Sequence, residues 1–309
     1  MARRTFADGV GAMVRVAMVI GMAGAVFLTG CAPMERMGRA REMKVFVLAG
    51  QSNMVGAAGA EELPAEHREP PENVLLYTGG QWGPLKPRGN WGPEIAFGHE
   101  LADAMPEERI GLIKYAVGGT GLPAWLPGWT AERAATTDNE AAGPLYRNLR
   151  EAIEHALRHR RATAVGVLWM QGERDSRFRP AGRNYRRNLE LLIESLREDL
   201  GNERLPFILG RVNPPADRDY DYRDEVRRAQ ERVADEDEYA RLVGTDDLPK
   251  RDDGLHYNAA GLAGLGRRLA GAWLELAQSE KHRIGVTIQI DVGTSDRLRR
   301  ARFRGEGES

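Results

Sequence analysis

The sequence predicts an α/β fold, a three-layer doubly wound sandwich around a central, mainly parallel sheet, over residues 44–278. Three observations predict it. Short apolar runs alternate with longer amphipathic stretches from Lys44 onward, the order that a parallel sheet with crossover helices requires. Several runs are apolar at successive residues, VFVLA and AVGVLWM among them, as strands covered on both faces must be. The stretches between them repeat apolar residues at the spacing of a helix with one buried face.

Taken in order, the expected strands are Val45–Ala49, Val74–Tyr77, Ile110–Val117, Ala164–Met170, Phe207–Val212 and Tyr239–Val243. A helix is expected within Gly143–Arg160, where Leu145, Leu149, Ile153, Ala156 and Leu157 share a stripe. A second carries Tyr185, Leu189, Leu192, Ile193, Leu196 and Leu200 on one face. The last carries Leu262, Leu265, Leu269, Trp273 and Leu276. Residues 78–130 are rich in Gly, Pro and Trp and read as long loops near strand ends. Residues 279–309 hold an apolar run, IGVTIQIDV, and then RLRRARFR, and are expected to form a poorly ordered, solvated tail.

Composition narrows the function. The chain has 309 residues, 42% hydrophobic and 29% charged, with a formal net charge of −1. Basic and acidic residues are interspersed, so nothing in the charge argues for nucleic acid as a partner. Cys31 is the single cysteine, which excludes an intramolecular disulfide and a paired-cysteine metal or redox site.

The first 30 residues read as a signal peptide rather than as fold. Arg3 and Arg4 give it a basic start, and Val16 to Gly30 is apolar but short of the roughly 20 residues of a permanent span. Its end, Leu28-Thr29-Gly30-Cys31, resembles a bacterial lipobox. That resemblance implies export, lipidation of Cys31, a tether over residues 31–43, and anchoring to a bacterial membrane at its periplasmic face or at the cell surface. Two or more acyl chains make such an anchor stable, where a single chain binds marginally.

In doubly wound folds the ligand crevice lies beyond the carboxyl ends of the strands. Four polar, glycine-bearing motifs stand at such ends: GQSNM (Gly50 to Met54), VGGTG (Val117 to Gly121), MQGERD (Met170 to Asp175) and DDGLHYN (Asp252 to Asn258). Each has a bland reading. Ser52 suits a helix cap as well as a nucleophile, which needs a neighbouring base to take its proton. Asp253 and His256, three residues apart in one turn, suit a capping acid beside a surface histidine as well as an orienting acid and its base. Glycines 118 and 119 suit a tight turn as well as a close backbone approach to a ligand. Oxyanion donors, each worth about 2.7–4 kcal/mol of barrier, are available from the Ser52 N–H, from Gly118 or Gly119, and from the Gln171 amide. His155 and His159 read as a solvated helix end, and His67 as exposed. Among the tryptophans of the loops, Trp82, Trp91, Trp125 and Trp129, each is either a sugar platform or an anchor that packs its loop.

The four motifs together, with WGPEIAFGHEL (Trp91 to Leu101), resemble the blocks of the SGNH hydrolases, and more narrowly the carbohydrate-esterase branch that includes sialate O-acetylesterases and acetylxylan esterases. The resemblance spans residues 44–278. It implies a flavodoxin-like fold and a serine esterase that removes O-acetyl groups from a carbohydrate through an acetyl-enzyme, with no metal and no cofactor. It implies Ser52 as nucleophile, His256 as base, Asp253 as its orienting acid, and an oxyanion hole of Ser52, Gly119 and Gln171. Gln51, Asn53, Glu173 and Asp175 fall to hydrogen-bonding support behind these groups, with Trp91 and Trp125 as candidate sugar contacts. Two rival readings are an SGNH hydrolase acting on another ester and a glycan-binding lipoprotein without catalysis.

Overall fold

The structure is a computed structural model that describes residues 42–279. The expected signal peptide, Cys31 with nearly all of the expected tether, and the tail from residue 280 lie outside the described residues. The fold begins slightly earlier than expected: Met43 already belongs to the first strand, and the Glu42 carboxylate accepts from Thr163 Oγ1 at 2.8 Å. At the other boundary, the last helix runs through Ser279.

Seven strands form one sheet: β1 (Met43–Gly50), β2 (Val74–Thr78), β3 (Gln81–Pro84), β4 (Arg109–Ala116), β5 (Ala162–Met170), β6 (Phe207–Gly210) and β7 (Ala240–Val243), in the order β3-β2-β4-β1-β5-β6-β7. All pairs are parallel except β2 with β3. β3 departs from the loop expected there. Gly79 and Gly80, both at positive φ, turn the chain back as a two-residue hairpin, which such residues favour. Trp82 closes it by donating to Ala156 O at 2.9 Å.

Helices cover both faces, which is why the strands are apolar at successive positions. One face packs against α4 (Leu145–Leu157), α5 (Arg179–Asp199) and α6 (Arg223–Glu236). The other packs against α2 (Glu94–Ala104) and α7 (Ala259–Ser279). Every residue of the three apolar stripes expected from the sequence is buried. Two short helices, α1 (Ser52–Val55) and α3 (Ala131–Ala135), lie in connections. Among the described residues no helix is long and apolar enough to cross a membrane.

The chain fills the β2, β3 and β4 side first and the β5, β6 and β7 side second, so strand order reverses around β1. That is the place where open α/β sheets bind ligands, and α1 follows directly from it.

Candidate active site

Gly50 ends β1 at φ +140°, and a Cβ there would lie 2.1 Å from Met170 O. Only glycine lets the ends of β1 and β5 come this close. The Gln51 N–H then donates to Met170 O at 2.9 Å, and the chain turns at once into α1. Gln51 and Asn53 are buried while Ser52 between them is half-exposed. Ser52 is the first residue of α1 rather than its cap, and among the described residues its hydroxyl has no hydrogen-bond partner. The capping reading of this serine is therefore not the one the structure supports.

The turn before α7 holds the second element. Asp253 Oδ1 accepts from the N–H groups of Leu255 (2.8 Å) and His256 (2.9 Å), and Oδ2 accepts from His256 Nδ1 at 2.6 Å. Partial burial pushes the Asp253 carboxyl up, but these three hydrogen bonds and the imidazole's charge outweigh it and hold the group at about 2. An ionised carboxylate only accepts, so the imidazole proton sits on Nδ1 and Nε2 is left as the acceptor.

Asn53 joins the two turns. Its Oδ1 accepts from Tyr257 N at 3.0 Å and its Nδ2 donates to Leu255 O at 3.3 Å. These two residues flank His256, and Asn53 follows Ser52. One carboxamide thus sets the serine turn against the histidine turn. The second proton of Nδ2 goes to Glu173 Oε1 at 2.8 Å.

The GGT turn completes the ring of motifs. A Cβ on Gly118 would stand 3.8 Å from Ser52 Cβ, and Gly119, at φ +68°, borders open space. Among the described residues none accepts from the backbone N–H groups of Ser52, Gly118 or Gly119, so all three are available to an oxyanion.

Three expectations are corrected here. Gln171 is fully buried with both amide protons committed, to Thr120 O (2.9 Å) and Asp175 Oδ2 (2.5 Å). It braces the GGT turn instead of offering a donor to substrate. Trp91 and Trp125 are 0% exposed, and stacking on a sugar requires an open face. Trp91 donates to Gly59 O at 2.8 Å, and Trp125 donates to Thr120 Oγ1 at 3.0 Å while meeting Trp169 edge-on. Both pack loops onto the core. His67, read as exposed, is buried against His99, with ring centroids 4.7 Å apart. The expected supporting residues Gln51, Asn53, Glu173 and Asp175 are all buried around the site.

Asp175 Oδ1 and Oδ2 accept from Leu122 N at 3.1 and 3.0 Å, yet burial pushes the carboxyl up to about 7. A raised acid contributes stability below its unfolded value of 3.8 and loses it as pH climbs to about 7. At about 1.4 kcal/mol per unit, the loss is of the order of 4 kcal/mol. Urea unfolding at about pH 4 and about pH 8 will show this slope in the wild type, and a flatter one in Asp175→Asn. Equal slopes would refute the assignment.

Sequence reasoning missed a cleft at the C-terminal end of α1, the helix that Ser52 opens. An open space of about 740 Å³ lies over the carboxyl ends of β2 and β4, bordered by Val55 of α1, Tyr115, Ala116, Arg88, Asn90 and His155. Lys114 fixes its inner wall, donating to Val55 O at 2.8 Å and pairing with Glu94 at 2.6 Å. A cation suits the C-terminus of α1 there. Arg88 is exposed; it donates to Thr78 O at 3.3 Å, and among the described residues no carboxylate pairs with it. No motif marks this arginine. The β2–β3 hairpin brings it to the cleft, and that hairpin was not expected. Among the described residues no cluster of three or more His, Cys, Asp or Glu is placed to hold a metal.

The sheet, its reversal at β1 and the order of the motifs are those of the SGNH-type esterases. Residues 42–275 match the family described as carbohydrate esterase, sialic acid-specific acetylesterase, and the chain belongs to that family. It is thus a carbohydrate esterase of a class that acts on acetyl esters. A probable carbohydrate esterase of Arabidopsis thaliana is 26% identical over 264 residues, covering 75% of this chain and 90% of the relative. A solved Arabidopsis thaliana structure is 25% identical with a TM-score of 0.64, covering 76% of this chain and 98% of its own. Two more distant structures share the fold. One is a carbohydrate acetylesterase from Xanthomonas citri, at 22% identity and a TM-score of 0.60, covering 77% of this chain and 57% of its own. The other is NanS, at 16% identity and a TM-score of 0.58, covering 77% of this chain and 98% of its own.

Proposed function

We propose that the protein is a serine esterase that removes O-acetyl groups from a carbohydrate through an acetyl-enzyme. The observation that carries this reading is the Asn53 bridge, which ties the turn of Ser52 to the turn of a histidine already bonded to a carboxylate. Ser52 Oγ attacks the acetyl carbonyl as His256 Nε2 takes its proton. Asp253 holds the imidazole in the tautomer this needs and stabilises the imidazolium that forms. The N–H groups of Ser52 and of Gly118 or Gly119 receive the oxyanion. His256 returns the proton to the departing sugar oxygen, and water activated by the same imidazole then releases acetate from Ser52.

The cleft gives the reading its substrate. An exposed guanidinium without a carboxylate partner suits a sugar that bears one, so we propose an acetylated acidic sugar, sialic acid among them. Arg88→Ala will raise KM for an acetylated sialic acid roughly tenfold, the size of a charge-assisted hydrogen bond, with turnover of an aryl acetate unchanged. If both substrates respond alike, Arg88 does not read the acid. Acetate release from a panel of acetylated glycans tests the substrate class itself.

The lipobox belongs to the same proposal: Cys31 anchors the esterase to a bacterial membrane, at its periplasmic face or at the cell surface. Cys31→Ser will move the protein from the membrane fraction to the soluble one. A variant that stays in the membrane fraction would sink the anchor.

A further inference from the structure

His155 stands in the last turn of α4 and is exposed, as a helix end should be, yet its ring is held. The hydroxyl of Tyr77, itself 4% exposed, meets His155 Nδ1 at 2.6 Å. Nε2 is left as the open position of the ring, without a partner among the described residues. It donates if Tyr77 gives Nδ1 its proton and accepts if Tyr77 takes one, and a sugar hydroxyl answers either. Ala152, three residues earlier on the same side of the helix, borders the cleft together with His155 and Tyr77. The bond from Trp82 to Ala156 O ties the end of α4 to the β2–β3 hairpin, so this wall is fixed to the strands. Among the described residues that border the cleft, none is a carboxylate.

Arg88 reaches the same cleft from the other face of the sheet. Tyr77 and Trp82 stand opposite each other on the face that packs against α4. Leu76 and Gly83 form the next pair, on the face of α2 and α7. A side chain at Gly83 would collide with the Arg88 guanidinium, so the arginine lies over that second face while it donates to Thr78 O. Both groups are thus fixed to β2. Neighbouring strands stand about 4.8 Å apart, so β2 lies roughly 10 Å from β1, the strand that leads into Ser52, with β4 between them.

We propose that His155, held by Tyr77, is a specificity-determining residue that reads the sugar to which the acetylated acidic sugar is linked, so that the substrate is the end of a glycan chain. This inference rests on the reading of Arg88 and the acidic sugar given above. In a sialic acid the carboxylate and the glycosidic oxygen share one carbon, and the O-acetyl groups are carried on others. With the acetyl group at Ser52 and the carboxylate on Arg88, the glycosidic bond leaves the ring at the level of β2. The next sugar then turns to the opposite side of the cleft, where His155 stands. The cleft volume of about 740 Å³ falls in the upper half of the roughly 300–1,000 Å³ of small-molecule sites, which leaves room for a second ring.

The test measures acetate release by the full-length protein from an O-acetylated sialic acid in two forms, free and linked through its anomeric carbon to lactose. Wild type shows the lower KM for the linked form, by roughly threefold to tenfold, the size of a hydrogen bond. His155→Ala raises KM for the linked form by that factor and leaves the free form as it was, so the preference disappears. Its kcat stays in place, because a contact far from the acetyl group is the same in the ground state and the transition state. Both forms responding alike to His155→Ala, or neither responding, would overturn the proposal. If His155→Ala does not fold, His155→Phe keeps the ring and removes both nitrogens. It gives the same split between the two forms, and an equal response there would overturn the proposal as well. Arg88→Ala run alongside separates the two levels. An unchanged KM for both forms in Arg88→Ala refutes the acidic-sugar reading, whereas an Arg88 effect beside an unmoved linked form in His155→Ala refutes only the role of His155.

Discussion

Ser52→Ala lowers kcat for an acetyl ester by roughly 10,000-fold or more, the scale seen when a nucleophile of this kind is removed, while thermal stability stays near that of the wild type. The two halves of this result have separate grounds. Stability is spared because the Ser52 side chain is half-exposed and its hydroxyl bonds to no described residue, so the substitution leaves no buried partner unsatisfied. Activity is lost because neither half of the double displacement has another acceptor for the acetyl group. What remains comes from binding and from the backbone donors at Ser52, Gly118 and Gly119, which alanine keeps. Measuring acetate release and the unfolding midpoint on the same preparation checks both halves, and a turnover within a few-fold of wild type would end the serine assignment.

Asp253→Asn is expected to cost on the order of 1,000- to 10,000-fold in kcat, with little change in KM. The present carboxylate, held at about 2, accepts from Nδ1 of His256 and leaves Nε2 free to take the serine proton. An asparagine keeps an oxygen for the N–H groups of Leu255 and His256, so the turn survives. Its amide turns an N–H toward the ring, selects the opposite tautomer and puts the proton on the nitrogen that must be the base. Raising the pH does not restore the rate, because the fault is the proton's position and not the protonation state. Steady-state kinetics across the pH range decides it: recovery at high pH would mean that Asp253 acts only through the imidazole's titration.

How far the sequence reached depended on whether a residue's role was local. VFVLA and AVGVLWM announce covered strands because burial on both faces is written in consecutive residues, and the helices of Leu189 and Leu262 announce themselves by spacing. The four strand-end motifs were legible for the same reason, since each is contiguous and the fold rule sends strand ends to one crevice. Contacts across the chain were not. Asn53 read only as unspecified hydrogen-bonding support beside Ser52, and its meaning lies in residues 255 and 257 and in Glu173. Gln171 looked like a donor until Asp175 and Thr120 were seen to hold both of its protons. Trp91 and Trp125 stand in Gly- and Pro-rich segments that suggest exposure, yet large aromatic side chains in such loops bury far more area by packing inward. The β2–β3 hairpin escaped notice because QWGP is too short and too polar to show alternation, and Arg88 went with it.

The most direct test of the central claim is labelling with a fluorophosphonate, followed by peptide mass mapping and an assay of acetate release. The adduct is a dead end, so the result does not depend on how fast an acetyl-enzyme turns over. The account predicts one adduct per chain, on Ser52, with activity lost in step with labelling and no adduct in Ser52→Ala. An adduct on any other residue, or full acetate release from protein that the reagent fails to label or that carries the adduct on Ser52, would contradict it.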